Sequence, residues 1–347
     1  MVMNGAFWRG KRVFITGHSG FKGGWLSLWL QRLGAEVTGY ALPPSTTPSL
    51  FSVANVGAEM NSVLGDIRDL GALKRALEQS RPEIVFHMAA QPLVRASYAD
   101  PIETYSTNVL GTVNLFEAIR AQGSSVKAVV NVTSDKAYEN REWVWGYRET
   151  DPMGGYDPYS SSKGCAELVT AAYRRSFGLP VASVRAGNVI GGGDWSPDRL
   201  VPDVLAALAA NRPIEIRNPA ATRPWQHVLE PLRGYMTVAE RVFGDARRYG
   251  EAWNFGPDDA SCQPVSVVVE ECVKAWGFES AWRSQAGVHP HEAGYLKLDS
   301  SKARSELGWA PKLTLPASIR LTTEWHRAWL SGADMRSFTL LQIDQHG

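Results

Sequence analysis

The chain has 347 residues, 44% hydrophobic and 20% charged, enough for one α/β unit with an appended lobe and far from the disordered or fibrous classes. Its 36 Lys and Arg against 35 Asp and Glu leave no electrostatic footprint for nucleic acid or an anionic membrane. The longest apolar run, residues 204–210, is far short of the roughly 18 that a bilayer span needs, and with no apolar leader ahead of the first strand the expected location is cytoplasmic.

Short β-rich runs at 12–16, 36–40, 61–64, 84–88, 128–133 and 181–186 alternate with helix-length segments at 22–33, 103–120 and 159–177. Each gap is long enough for a crossover, so the expected fold is α/β, a Rossmann-type doubly wound parallel sheet. After residue 186 the rhythm breaks. Gly191, Gly192 and Gly193 stand together, Trp195, Pro197 and Pro202 follow, and helices are expected at 201–210, 226–243 and 265–276, then a short strand and a helix within 295–309. The expected organisation is a dinucleotide-binding domain at 1–189, to which 224–258 returns, and a smaller discontinuous C-terminal substrate-binding lobe from 190–223 and 259–347. Cys165, Cys262 and Cys272 have no CxxC spacing and read as packing residues, with neither a disulfide framework nor a metal site.

The first strand runs straight into Gly17-His-Ser-Gly20-Phe-Lys-Gly23, with a helix starting inside the series. Glycines there allow a tight turn, close approach of a pyrophosphate and close helix packing, while the helix N-terminus presents N–H groups to phosphate. A dinucleotide held by Gly17, Ser19, Gly20, Phe21, Lys22 and Gly23 is the natural ligand. Tyr40 stands where an acidic residue would hold the adenosine ribose, and no nearby Arg offers a 2′-phosphate clamp. The residues therefore leave NAD and NADP both open. Tyr159 and Lys163 are four apart in a helical run, on one face. An ammonium there is expected to lower the phenol's pKa, giving a base that accepts a hydroxyl proton as hydride leaves the same carbon.

In chain order the glycine loop, Asn108 of Thr107-Asn-Val-Leu-Gly-Thr112 and the Tyr159/Lys163 pair resemble the extended short-chain dehydrogenase/reductase superfamily. The stretches FWRGKRVFITGHSGFKGGWLSLWL, HMAAQPLVRASY, NVTSDKAYENREWVWGYRE, DPYSSSKGCAELV, RAGNVIGGGDW and RPWQHVLEPL resemble, more narrowly, the CDP-glucose 4,6-dehydratases. That resemblance implies an NAD-dependent lyase of nucleotide deoxysugar biosynthesis. It converts CDP-D-glucose to CDP-4-dehydro-6-deoxy-D-glucose by oxidation at carbon 4, loss of water across carbons 5 and 6, and hydride return to carbon 6.

The same resemblance puts Asp66 and Ile67 at the adenine, and Ala89, Ala90, Gln91 and Asn108 along the cofactor. Ser134, Asp135 and Lys136 stand where relatives carry Thr-Asp-Glu: Ser134 to hydrogen-bond the oxygen at carbon 4, Asp135 to protonate the leaving hydroxyl, and Lys136 either to take the carbon 5 proton or to stabilise an enolate. Asn188, Arg199, Arg223 and Tyr295 are the expected sugar-nucleotide contacts, with Trp225 and His227 as packing. A homodimer is expected through helices 103–120 and 159–177. The rival readings are another nucleotide-sugar dehydratase, a 4-epimerase, which would need no acid at Asp135, and, from a different class, a cofactor-sensing binding protein, against which the Tyr159/Lys163 pair speaks.

Overall fold

A strand covered by helices on both faces can be apolar at consecutive positions, and that is how the centre of this molecule is built. In the computed structural model, which describes residues 4–278, 282–284 and 293–347, Ile84–His87 (β4), Ala128–Val132 (β5) and Val181–Ala186 (β6) are buried at every position. With Arg12–Thr16 (β1), Glu36–Ala41 (β2), Asn61–Leu64 (β3) and Ala252–Phe255 (β7) they form a seven-stranded, all-parallel sheet in the order β7-β6-β5-β4-β1-β2-β3. The doubly wound expectation holds. The strands expected at 84–88 and 128–133 end one residue early, where Met88 and Thr133 turn into the loops that carry the site. The edge strand β7 escaped the sequence reading because four residues carry too little alternation to stand out beside a helix.

Helices Phe21–Arg32 (α1) and Leu229–Gly244 (α6) cover one face through Trp25, Leu28, Leu232 and Tyr235; Leu70–Ser80 (α2) and Gly111–Ala121 (α3) cover the other through Leu73, Leu77, Leu115 and Phe116. Pro158–Phe177 (α4) packs beside α3, its start fixed by Asp157, whose carboxylate caps Ser160 N at 2.9 Å, and by Pro158 in the first turn. The helix expected at 226–243 begins only at Leu229, because Gln226–His227 pairs as a short strand with Val189–Ile190.

A second core collects Val201, Val204 and Leu208 of Leu200–Ala209 (α5), Ile214, Ile216, Val268, Val269 and Cys272 of Val265–Trp276 (α7), and Leu315 and Ile319. The last two helices, Leu315–Leu330 (α8) and Met335–His346 (α9), carry Trp325, Met335 and Ile343 back onto the first core. Between them and α7, the helix expected within 295–309 is only the short turn Ala303–Leu307. Of the three free cysteines Cys272 is buried and the other two are half-buried. Among the described residues no helix is long and apolar enough to cross a membrane, and no cluster of His, Cys, Asp and Glu could hold a metal ion.

Candidate active site

The strand order reverses between β1 and β4, and in open parallel sheets ligands bind beyond the carboxyl ends of the strands at such a point. Here a cavity of about 740 Å³ opens beyond the carboxyl ends of β4, β5 and β6. The glycine loop follows β1, and Lys22 at its end reaches the cavity. Gly17 adopts φ +80°, and a Cβ on it would lie 2.7 Å from Ala89 N; a Cβ on Gly23 would lie 2.1 Å from the Gly17 carbonyl oxygen. Those two glycines serve the protein's own packing. Gly20 differs: as N-cap of α1 it would meet nothing closer than 3.4 Å, so its missing side chain leaves the helix N-terminus bare for a phosphate group. That is the fit a dinucleotide pyrophosphate requires. Ser19 donates to the Leu42 carbonyl at 2.7 Å, and Phe21 lies under Gly191.

The ribose edge corrects the expectation for Tyr40. Its side chain is buried, stacked on Phe14, with its hydroxyl donating to the Asp66 carbonyl at 3.1 Å. The position points into the core, so it is not a substituted ribose contact. The opposite face of β2, at Gly39, is filled by the His18 imidazole, 2.7 Å from Ser62 Oγ. Asp66 is held by a forked ion pair to Arg68, 2.6 Å at the closest, and Ile67 is packed against Gly111.

Asn108 spends its amide inside the protein. Oδ1 accepts from Gln91 N at 2.8 Å, and Nδ2 donates to the Gln91 carbonyl at 3.0 Å and to Ser162 Oγ at 2.8 Å. It thus clamps the Ala89–Ala90–Gln91 loop to α4, from a π-type turn, Ser106–Leu110, inside an otherwise helical stretch. Such turns recur at functional sites.

Beyond β5, Thr133, Ser134, Asp135 and Lys136 reach the cavity together with Lys22, Tyr159, Asn188, Arg199 and Arg223. Ser134 Oγ donates to Asp135 Oδ1 at 3.0 Å and accepts from Lys136 N at 3.2 Å, and its hydroxyl pulls the Tyr159 phenol down. Asp135 is 3% exposed, its Oδ2 has no hydrogen-bond partner, and burial pushes its carboxyl up against the pull of Lys136 and Ser134. A carboxyl in that state can serve as an acid.

Burial likewise pushes Tyr159 up, and the influences that pull it down are the Ser134 hydroxyl and the Arg199 charge. Lys163 was expected to lower this phenol, but its ammonium points to the Val132 carbonyl at 3.4 Å, and burial brings it down to about 8. Lys22 is pulled down to about 7 by burial and by the charges of Arg199 and Lys163.

The outer wall is more varied. Asn188 stands at φ +24°, a conformation rare for a side-chain-bearing residue and common where a wall must be shaped for a ligand. Arg199 is held by Asp194 at 3.0 Å. Arg223 is buried, donating to the Thr222 carbonyl at 2.9 Å and to that of Ala293, and its charge acts on Asp135. Tyr295 is half-buried outside the cavity lining, bridged through its backbone to Thr222. His227 is fully buried against Trp25, as packing, and Trp225 is buried with its indole N–H donating to the Gln263 carbonyl at 2.9 Å while one face lines the cavity.

Beneath this corner lies a network the sequence reading missed. Glu167, one turn after Lys163 on α4, accepts from Arg185 Nε and Nη2 at 2.8 Å each, from Ser183 Oγ at 2.6 Å and from Thr133 Oγ1. Its spacing from Lys163 was the only signal available. Asp194, the partner of Arg199 five residues on, was missed as well.

A family model described as GDP-mannose 4,6 dehydratase matches residues 14–322. The chain belongs to that family. A CDP-glucose 4,6-dehydratase of Salmonella typhimurium is 56% identical over 338 residues, covering 95% of this chain and 94% of that protein. A double mutant of a dTDP-glucose 4,6-dehydratase from Streptomyces venezuelae, solved with NAD bound, shares 25% identity at a TM-score of 0.78, covering 93% of this chain and 98% of its own. A UDP-glucose 4-epimerase from Thermotoga maritima, solved with UDP-glucose, superposes at a TM-score of 0.82 with 24% identity, covering 92% of this chain and 99% of its own. The fold therefore does not separate dehydratase from epimerase, and the side chains must.

Proposed function

We propose that the protein is an NAD-dependent nucleotide-sugar 4,6-dehydratase acting on CDP-glucose, yielding CDP-4-dehydro-6-deoxyglucose in the cytoplasm. The observation that carries this reading is Asp135, a carboxyl that burial pushes up towards its acid form, bonded to Ser134 and sharing the cavity with Tyr159. An epimerase needs no such acid. Bound NAD would accept hydride from carbon 4 of the hexose and return it to carbon 6. Gly20 with Ser19, Phe21 and Lys22 would hold its pyrophosphate end on a turn shaped by Gly17 and Gly23, Asp66 and Ile67 its adenine, and the loop 89–91, kept in place by Asn108, its nicotinamide side.

Tyr159, as phenolate, takes the proton of the 4-hydroxyl, with Ser134 on the same oxygen. The ketone so formed acidifies the carbon 5 proton, which Lys136 removes. Asp135 gives its proton to the 6-hydroxyl, which departs as water. Lys163, one turn further along α4, is anchored to the Val132 carbonyl, and Arg199 supplies the charge that pulls the phenol down. Asn188, Arg199 and Arg223 would take the diphosphate, with Tyr295 beyond them, so that 1–189 with 224–258 serves the cofactor and 190–223 with 259–347 the sugar nucleotide. The CDP preference is supported by the 56% identity to the Salmonella enzyme. A homodimer is supported by the exposed Ile102, Leu110 and Leu168 on the helical stretches that flank the site.

The test is product mass after incubation with CDP-glucose, dTDP-glucose and GDP-mannose. Loss of one water from CDP-glucose in preference to the others is the expected result; an unchanged mass with a new diastereomer would make the chain an epimerase. Lys136→Met should slow exchange of the carbon 5 proton with solvent deuterium, and unaltered exchange with turnover lost would move the lysine's role to enolate stabilisation.

A further inference from the structure

Five carboxylates among the described residues line the cavity, and four of them are accounted for. Asp135 is the acid, Asp194 pairs with Arg199 at 3.0 Å, Asp198 with Arg95 at 3.3 Å and with Arg217 at 3.1 Å, and Glu215 with Arg283. The fifth, Asp203, opens to the cavity with no ion pair or hydrogen bond from its side chain to any described residue. A guanidinium seated there would occupy its acceptor oxygens, but the nearby arginines are drawn off by Asp194, Asp198 and Glu215.

The position of Asp203 along the cavity follows from α5. Its amide donates to the Arg199 carbonyl at 3.1 Å, closing the first turn of the helix, so the two side chains share a face about 6 Å apart along the axis. The next turn brings Ala206 and Ala207 to the same cavity, and Ile216, Trp225 and Val265 add apolar lining. With the hexose at Tyr159 and Asp135 and the diphosphate at Arg199, the following turn of α5 belongs to the nucleoside. Two methyl side chains and one face of an indole suit a planar base.

We propose that Asp203 selects the base, its carboxylate accepting a hydrogen bond from the exocyclic 4-amino group of cytosine. The proposal rests on the dehydratase reading and deepens it. An ionised carboxylate only accepts, and the cytosine amine is a donor that Asp side chains recognise. Uracil and thymine carry a carbonyl oxygen at that position. Two acceptors would then face each other, so the group that attracts cytosine also repels the other pyrimidines. Partial loss of water, with Asp198 and Asp194 nearby, pushes the Asp203 carboxyl up to about 6, against the pull of Arg217 and Arg95. At pH 7.5 it is therefore ionised and has no proton to offer a carbonyl.

The experiment titrates NAD-loaded protein at about pH 7.5, above the value of about 6 for Asp203, with CDP and with UDP by calorimetry. The two share ribose and diphosphate and differ only along the base edge that carries position 4. Wild type should prefer CDP. Asp203→Ala should weaken CDP about tenfold or more and leave UDP no weaker, whereas Asp203→Asn, whose amide can offer an N–H to a carbonyl, should strengthen UDP. With CDP-glucose and UDP-glucose as substrates the same pattern should run through KM rather than kcat. Equal weakening of CDP and UDP in Asp203→Ala would put the carboxylate on the ribose or diphosphate and overturn the proposal, as would CDP binding unchanged in that variant. Asp203→Asn keeps the shape of the side chain, so a failure of Asp203→Ala to fold leaves the gain in UDP as the deciding result. Wild-type protein that prefers CDP yet forms no dehydrated product from CDP-glucose would defeat the reaction assignment and leave the base selection standing.

Discussion

Beyond the β1–β4 end of the sheet the surface is backbone: Gly17, Gly20 and Gly23, a helix N-terminus, and a loop clamped by Asn108. At the β5–β6 end it is side chains, with Ser134, Asp135 and Tyr159 resting on the buried Glu167–Arg185 network through Thr133. The first end tolerates only what the backbone geometry allows, whereas the second works through the protonation states of groups taken out of water. Substitutions should therefore fail differently at the two ends, one by steric exclusion and the other by lost chemistry or uncompensated charge.

The largest effect belongs to the side-chain end. Tyr159→Phe keeps the ring and its packing but removes the proton acceptor, so kcat should fall by about 10²–10⁴-fold with the melting temperature little changed. A variant retaining more than about a tenth of wild-type turnover would show that another group takes the 4-hydroxyl proton.

Next is the support beneath it. Glu167→Gln leaves Arg185, with a side chain 4% exposed, without its counter-charge, and unpairing a buried ion pair costs about 3–5 kcal/mol. Against burial, which pushes Glu167 up, Arg185 and the hydroxyls of Ser183 and Thr133 hold its carboxyl below the usual range, so the network favours the ionised form. Urea unfolding measures the loss. A change below about 1 kcal/mol would mean that water has replaced the pair's energy and that the two ends differ less than their burial suggests.

The backbone end sharpens the contrast with two neighbouring glycines. Gly23→Ala forces a methyl group to within 2.1 Å of the Gly17 carbonyl oxygen, and overpacking of that kind costs about 1–3 kcal/mol. Gly20→Ala has room, so the stability of the cofactor-free protein should stay within about 0.5 kcal/mol while NAD affinity, read by calorimetry, falls. Equal destabilisation by both would show that Gly20 too serves internal packing.

This difference also explains what could be read from the sequence. Six of the seven strands and the glycine loop follow from period and punctuation, which are local. Tyr40 was misread because its residue type was compared with a ribose-binding acid before its direction was known; Gly65 and Phe14, far off in sequence, decide that it faces the core. The charge acting on Tyr159 was misassigned for the same reason. Lys163 is its neighbour along the helix, but Arg199 and Ser134, brought in by the fold, are the groups that act on it. Asn108 was found by motif, yet its work as a clamp depends on Gln91 and Ser162 on two other elements.

The smallest effect lies where the two ends meet, at Lys22, which rises from the glycine loop into the side-chain corner. Burial, with Arg199 and Lys163, brings its ammonium down from 10.5 to about 7. The folded state therefore gives up this proton near pH 7, whereas the unfolded chain keeps it until near 10.5. Between those values the unfolded state binds more protons, so this group's contribution to stability rises with pH across that window, and the full cost of the buried charge is present below it. Lys22→Met removes the cost. In cofactor-free protein its melting temperature should exceed that of wild type at pH 6, and the excess should shrink steadily as the pH is raised towards 10. A gain that is the same at both ends of the window would mean that Lys22 stays charged throughout, held by Asp135 and Asp194, and that the glycine loop contributes a permanent cation to the chemistry at the other end of the cavity.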